Sequence, residues 1–293
     1  LLPPKGWCHI NISDNKHMSV IDVENPRFGI RIQEASGTHS VIRLPRKESL
    51  RILPNNGMMK LFDALVACEA ISRTPLKRGE SRRIFGDGPD GGSPMYSSIG
   101  VQVSRFGGVI ANSPCFSSLP ECHWRTIMSM TRRAEAAFES FADTSALRQI
   151  IAAKQVVDFK TLSTPDGTHS AKYFGAIAFG HNVFLRCHTD HDFTFSITQI
   201  HLKGSDRYSA GDRIVAYFSF PTRGVTIPMW PGDFLIFDAT LPHSISSRCH
   251  RDDDIMCMSF YLKSMVVGMN DNFKPLSQQQ IHLSNLHHSG FFK

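Results

Sequence analysis

Cys187-His188-Thr189-Asp190-His191-Asp192-Phe193 and Pro231-Gly232-Asp233-Phe234-Leu235-Ile236-Phe237-Asp238-Ala239-Thr240-Leu241-Pro242-His243-Ser244 are the two stretches on which the reading of this chain turns. The first holds a His-x-Asp triplet. Asn182 to Arg186 before it reads as an apolar strand, Val183-Phe184-Leu185, ending at the triplet. If that strand continues, a period of two puts His188, Asp190 and Asp192 on one face. In the second stretch Pro231-Gly232-Asp233 is a turn signal opening the apolar run Phe234–Phe237. Asp238–Pro242 is a short connection, and His243 begins another short run. Two imidazoles and one carboxylate on one side of a metal ion leave three coordination positions open.

A lone His-x-Asp is a weak signal; the strand before it and the turn, strand, loop and His after it make it specific. With both in place the chain resembles the Fe(II)/2-oxoglutarate-dependent dioxygenase superfamily, whose ligand set is two His and one carboxylate. The resemblance covers roughly Lys172 to Val267, about a third of the chain. It implies His188, Asp190 and His243 as iron ligands and catalytic centre, with Fe(II), 2-oxoglutarate and O2 as cofactor and co-substrates. Asp192 competes with Asp190 for the carboxylate role, and the His-x-Asp spacing favours Asp190. With a carboxylate in that position the resemblance implies hydroxylation or oxidative demethylation rather than halogenation. The oxidant comes from iron and co-substrate, which yields succinate and CO2, while the protein fixes geometry and keeps water out.

The far carboxylate of 2-oxoglutarate needs a cation, preferably a forked Arg. The family usually places it near the start of the last core strand. Here that strand, Ile255–Leu262, has no basic residue before Lys263. Arg248, five residues after His243, is the first substitute and Lys203 the second. Ser259 and Tyr261 alternate onto one strand face and are candidate hydroxyl donors to the same carboxylate. The missing cation also supports a rival from another class: a cupin-like metal- or ligand-binding barrel, or a degenerate oxygenase without turnover. A plain β-sandwich with accidental ligand spacing is the third reading.

Composition places the chain among ordinary globular proteins, with 293 residues, 41% apolar and 20% charged. That length suffices for a full core. No apolar run approaches the eighteen residues of a membrane span. The chain begins at Leu1 rather than Met, which suggests a trimmed sequence whose targeting signal can lie elsewhere. The seven cysteines include no Cys-x-x-Cys pair, and Cys68, Cys187 and Cys257 sit in apolar surroundings. Reduced core thiols are expected, and with them an intracellular, cytoplasmic or nuclear compartment. A net charge of +6 is compatible with a polyanionic partner. Lys77-Arg78 with Arg82-Arg83 is the densest basic patch, so nucleic acid is an admissible substrate beside a protein side chain or a small metabolite.

The expected fold class is α+β, a double-stranded β-helix (jelly-roll) core buttressed by N-terminal helices. Residues 1–165 are expected to form a helical or irregular support with a mobile loop at 74–98, residues 166–270 the catalytic core, and 271–293 a polar tail. The parts are expected to make one compact unit. Helices are expected over Gly57–Ser72, with Leu61, Leu65, Cys68 and Ile71 at helical spacing, and near Thr144–Gln155, carrying Leu147, Ile150 and Ile151. A third is expected from a capping box at Ser118-Leu119-Pro120-Glu121 through Phe141. Eight strands follow Pro165-Asp166-Gly167, from Tyr173–Phe179 to Ile255–Leu262. Gly86-Asp87-Gly88-Pro89-Asp90-Gly91 fits Gly-x-Gly-x-x-Gly by letter. It is rejected as a nucleotide loop because no good strand precedes it and Pro89 prevents a clean helix start. Trp230 is read as packing the barrel, with a substrate-lining role as the alternative.

Overall fold

The computed structural model describes residues 7–11, 19–20, 29–52, 57–72, 84–85, 95–103, 110–112, 119–142, 144–156, 160–182, 184–185, 187–203, 213–246 and 253–267. The strands in chain order are β1 (Trp7–Asn11), β2 (Ser19–Val20), β3 (Gly29–Gln33), β4 (His39–Arg43), β5 (Ile84–Phe85), β6 (Met95–Val103) and β7 (Ile110–Asn112). They continue with β8 (Ala176–His181), β9 (Phe184–Leu185), β10 (Phe195–Leu202), β11 (Ala216–Phe220), β12 (Val225–Met229), β13 (Phe234–Asp238), β14 (Ser244–Ile245) and β15 (Ile255–Tyr261). The helices are α1 (Arg46–Ile52), α2 (Gly57–Ser72), α3 (Glu121–Phe141), α4 (Thr144–Val156) and α5 (Ser264–Val267).

From β8 onward the chain alternates between two facing layers. The larger sheet has the order β1-β3-β4-β13-β10-β15-β8-β6-β7 and the smaller one β14-β11-β12-β2. β8, β10, β13 and β15 therefore lie in one layer, with β11, β12 and β14 in the other. This interleaving is the double-stranded β-helix. Most neighbours pair antiparallel, several between strands far apart in sequence, Ile197 with Phe260 and with Ile236, for example, while β1 with β3 and β2 with β12 run parallel.

Burial shows why the larger sheet is hydrophobic on both sides. In β13, Leu235 and Phe237 pack between the sheets with Phe218, Ile227 and Ile30. Phe234 and Ile236 point the other way, into a cluster with Ile127, Phe138 and Leu65 of the helices. A strand covered on both faces reads as a continuous apolar run, as Phe-Leu-Ile-Phe does. Turn chemistry supplies the tight corners. Gly224 (φ 62°) closes the one-turn 3-10 segment between β11 and β12, and Gly232 (φ 83°) the turn into β13. Both are left-handed positions that favour glycine.

The eight strands expected after residue 166 are all present, most of them shorter than expected, with β8, β12 and β13 each running one or two residues further at the C-terminal end. α2 matches Gly57–Ser72, and Leu61 and Leu65 are buried as expected, whereas the side chains of Cys68 and Ile71 lie outside the described residues. In α3, Ile127, Thr131, Ala134 and Phe138 form the buried stripe.

Several expectations need correction. Pro120 is the N-cap residue of α3 and makes no side-chain cap bond, so Glu121 stands at the first helical position, not the third. The capping-box spacing is therefore not realised; proline's fixed φ starts the helix instead. The expected loop at 74–98 contains β5, and Met95–Ser98 belongs to β6, paired with β8 from Met95↔His181 onward. Its Gly-x-Gly-x-x-Gly stretch lies outside the described residues. The segment before residue 165 supplies five strands of the larger sheet as well as helices, so the core is not confined to 166–270. The tail 271–293 lies outside the described residues.

Two buried polar features bear on stability. Arg43, fully buried, pairs with Asp233 at 3.3 Å and lies 4.9 Å over the Trp230 ring, so Trp230 packs the barrel. Glu135 on α3 accepts the Tyr173 and Phe174 backbone N–H groups at 2.6 and 3.2 Å, tying the helix to the entry of β8. Burial raises its pKa, against the pull of those backbone bonds.

His201 is fully buried on β10, its Nε2 2.9 Å from Gln199 Oε1, and desolvation depresses its pKa from 6.5 to about 3. Below pH ~6.5 the unfolded chain takes up a proton that native His201 refuses. Stability from this residue is therefore complete above that pH and is lost on acidification towards pH 3, by up to about 1.4 kcal/mol per pH unit. His201→Leu is expected to flatten the stability–pH curve between pH 6.5 and 4.5 by about 2 kcal/mol, measured by urea unfolding across that range. An unchanged slope would contradict this account of His201.

Candidate metal centre

The ligand stretches meet because β9 and β14 are neighbours at the mouth of the barrel. His188 N donates to His243 O at 2.9 Å and His243 N to His188 O at 2.8 Å. This reciprocal pair is a single antiparallel bridge, outside any longer strand. It brings the two imidazole centroids to 4.4 Å. Asp190 N donates to Ala239 O at 3.1 Å, and Ala239 N donates to Thr194 O at 3.1 Å. The turn after β13 is thus stapled to both ends of the segment that carries the carboxylate. Asp238 stiffens that turn by accepting the Thr240 N–H and hydroxyl at 3.0 and 2.7 Å.

His188 Nε2 lies 3.6 Å from Asp190 Oδ1, and His243 Nε2 lies 3.4 Å from Asp190 Oδ2. Each carboxylate oxygen faces one imidazole. The three ligand atoms lie within 4.8 Å of one another. Donor atoms on adjacent positions of an ion with bonds of about 2.1 Å are about 3 Å apart, so a slight closure brings the set onto one ion. His243 Nδ1 is 2.8 Å from the Leu241 carbonyl. A carbonyl can only accept, so Nδ1 carries the proton and Nε2 presents its lone pair towards Asp190. The side chains of His188 and His243 are 9% and 4% exposed and that of Asp190 is 34% exposed, so the centre opens on the carboxylate side. Donor set, tautomer and convergence all fit a divalent ion of the iron class.

Asp190, not Asp192, is the acid beside the imidazoles. Asp192 is 8% exposed and accepts the Ser196 hydroxyl at 3.0 Å. Its pKa is pushed well up by burial first and then by the Asp190 charge, against the Ser196 bond and Lys263. The expected common face for residues 188, 190 and 192 does not form. His188 and Asp192 sit in separate bridges, the latter to Lys263, with no regular strand between them.

The co-substrate candidates fare differently. Arg248 lies outside the described residues. Lys203 follows β10 at the end remote from the centre, about 25 Å along the strand, and its Nζ pairs with Asp254 at 3.2 Å. That distance removes Lys203 as the cation for an acid chelated at the triad. Ser259 and Tyr261 lie on the strand face that turns away from Met258 and Phe260 and the helices. The Ser259 hydroxyl is 2.6 Å from that of Thr198, and Tyr261 packs on Ala176 and Ala178.

Several contributors had no signal of their own in the sequence. Phe218 stacks on His243, and Phe237 meets it edge-on. Thr194 is fully buried at φ 64°, a left-handed conformation that costs a β-branched residue about 1–3 kcal/mol, and it carries the carbonyl that holds Ala239. A cleft of about 430 Å³ lies at the same end of the sheet, lined among others by Glu34, His39, Gln149, Phe195, Arg223 and Asp238. The triad does not line it, and Arg223 Nε is 2.7 Å from Glu34 Oε1 across it.

No family model and no curated protein matches this chain. Solved structures do. The structure described as NgTET1 in complex with 5mC DNA aligns with a TM-score of 0.57 at 10% identity, covering 89% of this chain and 84% of that one. A Pseudomonas putida prolyl-4-hydroxylase aligns at 0.42 and 12% identity, over 77% and 94% of the two chains. A Burkholderia pseudomallei 2OG-Fe(II) oxygenase-family oxidoreductase aligns at 0.37 and 15% identity, over 69% and 78%. Only the first is close enough in shape to bear on the fold, and at this identity it bears on the fold alone. Strand order and that likeness agree on a double-stranded β-helix fold, with a His-Asp-His group where the segments after β9 and β13 meet.

Proposed function

We propose that this chain is an Fe(II)/2-oxoglutarate-dependent oxygenase that hydroxylates or oxidatively demethylates its substrate. The observation that carries the reading is the convergence of His188, Asp190 and His243 in the tautomer and spacing of a facial metal site. His188 and His243 would hold the ion from the buried side, and Asp190 would supply one negative charge from the open side. Iron, when bound, supplies the activation of O2 and the oxidative decarboxylation of 2-oxoglutarate. The protein's part is to fix that geometry and exclude water. The His188–His243 backbone bridge fixes the two imidazoles relative to each other. The Ala239 contacts hold Asp190 against the turn after β13, and the phenylalanines around His243 exclude water behind it. Arg248 remains the proposed cation for the far carboxylate of 2-oxoglutarate, with Ser259 and Tyr261 as hydroxyl donors inside the barrel. A cupin-like barrel without turnover is the competing reading, and it shares every feature except the ability to consume 2-oxoglutarate.

Among substrate classes, a nucleic-acid base has a specific feature in its favour. The basic stretch Lys77-Arg78 and Arg82-Arg83 runs directly into β5, whose Ile84 pairs with Leu185, three residues before His188. Basic residues this near in sequence to β5 suit a phosphate backbone.

Purified protein with Fe(II), 2-oxoglutarate and O2 is expected to release succinate even without added substrate. His243→Ala and Asp190→Ala should lower that release at least a hundredfold, measured by chromatography of the organic acids. Consumption of 2-oxoglutarate no faster than that of buffer with iron would select the binding-barrel reading. Arg248→Ala is expected to raise the KM for 2-oxoglutarate at least tenfold with Fe(II) affinity unchanged; an unaltered KM would remove Arg248 from the site. Charge reversal at Arg82 and Arg83 is expected to weaken binding of a methylated oligonucleotide and flatten its salt dependence. An unchanged salt slope would turn the substrate search to proteins and metabolites.

A further inference from the structure

The distal imidazole is held by more than its backbone. Three phenylalanines surround it, drawn from both sheets. Phe218 and Phe220 lie two apart on β11, on the face that packs between the sheets, with ring centroids 5.3 Å apart. Phe237 comes from β13 of the opposing sheet. Phe218 lies nearly parallel to His243, at 5.5 Å and 13°. Phe237 approaches edge-on at 4.9 Å and 63°, and Phe220 is farther, at 6.4 Å. With Nδ1 tied to Leu241 O, ring rotation about the side-chain bonds is blocked by the stacked face on one side and the edge contact on another.

These contacts have unequal roles. The Leu241 bond decides which nitrogen carries the proton, but a single hydrogen bond still permits the ring plane to tilt about it. A parallel ring restrains that plane, and aromatic pairs of this geometry are favourable beyond their buried area. The Phe218 ring belongs to a strand that contributes no ligand of its own, since the triad comes from the segments after β9 and β13. β11 thereby reaches the candidate metal centre through its rings, Phe218 nearest, and through its pairing with β14, which follows His243.

We propose that Phe218 is a positioning residue: by stacking on His243 it fixes the plane of the distal imidazole so that Nε2 stays aimed at the ion held with His188 and Asp190. The proposal rests on the metal-site reading above. Outer contacts of metal-bound imidazoles commonly change affinity ten- to a hundredfold when removed, so the effect is measurable without turnover.

The test is a Co(II) titration followed by visible absorption, which reports ligand geometry, alongside the thermal midpoint of the metal-free protein. Phe218→Leu keeps an apolar side chain and deletes the stack, Phe218→Met does the same with a more adaptable chain should the leucine variant not fold, and Phe218→Tyr keeps the ring. Phe138→Leu, a fully buried phenylalanine on α3, controls for packing loss. The expected result is that Phe218→Leu and Phe138→Leu lower the midpoint comparably. Only the former should weaken Co(II) at least tenfold and alter the visible bands, with Phe218→Tyr restoring both. If Phe218→Leu or Phe218→Met binds Co(II) as wild type does, or Phe138→Leu weakens binding equally, the proposal is overturned. A wild-type protein that binds neither Co(II) nor Fe(II) would overturn the metal-site reading itself, and the positioning role with it.

Discussion

The pair of backbone hydrogen bonds between His188 and His243 is the contact on which the rest of this structure depends. It joins the segment after β9 to the start of β14, two pieces of chain separated by most of the barrel. Everything between them must return the chain to within one peptide of its starting point. The alternation of strands between two sheets accomplishes that return, and the apolar clusters on both faces of the larger sheet hold it rigid. The candidate metal centre thus has no framework of its own. It is the place where the closure of the barrel puts two histidines side by side and staples a carboxylate against them.

That dependence explains where the chain accepts local cost. Thr194 adopts a left-handed backbone while fully buried, and its carbonyl anchors Ala239, which in turn anchors Asp190. Arg43 and Asp233 form a buried ion pair at the opposite end of β13, a motif that tends to fix geometry more than it adds stability. Both features lie on the strand-and-turn path that leads from the larger sheet to the ligands. Strain and buried charge at such points are tolerated when the surrounding packing leaves the chain no alternative.

Sequence alone makes the candidate ligand set legible because metal chemistry demands particular residue types, and because the flanking runs Val183–Leu185 and Phe234–Phe237 are strongly apolar. The helices over Gly57–Ser72 and Glu121–Phe141 are legible for a similar reason: a long periodic stripe carries redundant information. The strands after residue 166 are legible because apolar runs alternate there with turn signals; β6 begins beside a Pro/Gly-rich stretch, so its strand character comes from its partner β8 rather than from local pattern. The His-x-Asp spacing favours Asp190 over Asp192, but the break in strand geometry between two isolated bridges that separates the two acids has no signal in the sequence. Phe218 could be seen only as one more alternating core residue; its function depends on which ring it faces.

If His188, Asp190 and His243 hold one iron ion with positions left for 2-oxoglutarate, anaerobic titration of the metal-free protein with Fe(II) and 2-oxoglutarate should develop the weak visible charge-transfer band of the chelated complex. The band is expected to saturate at one iron and one 2-oxoglutarate per chain and to be absent in His188→Ala. Iron binding confirmed by metal analysis with no such band would contradict that reading, and would mark the chain as a metal-binding barrel that does not take this co-substrate.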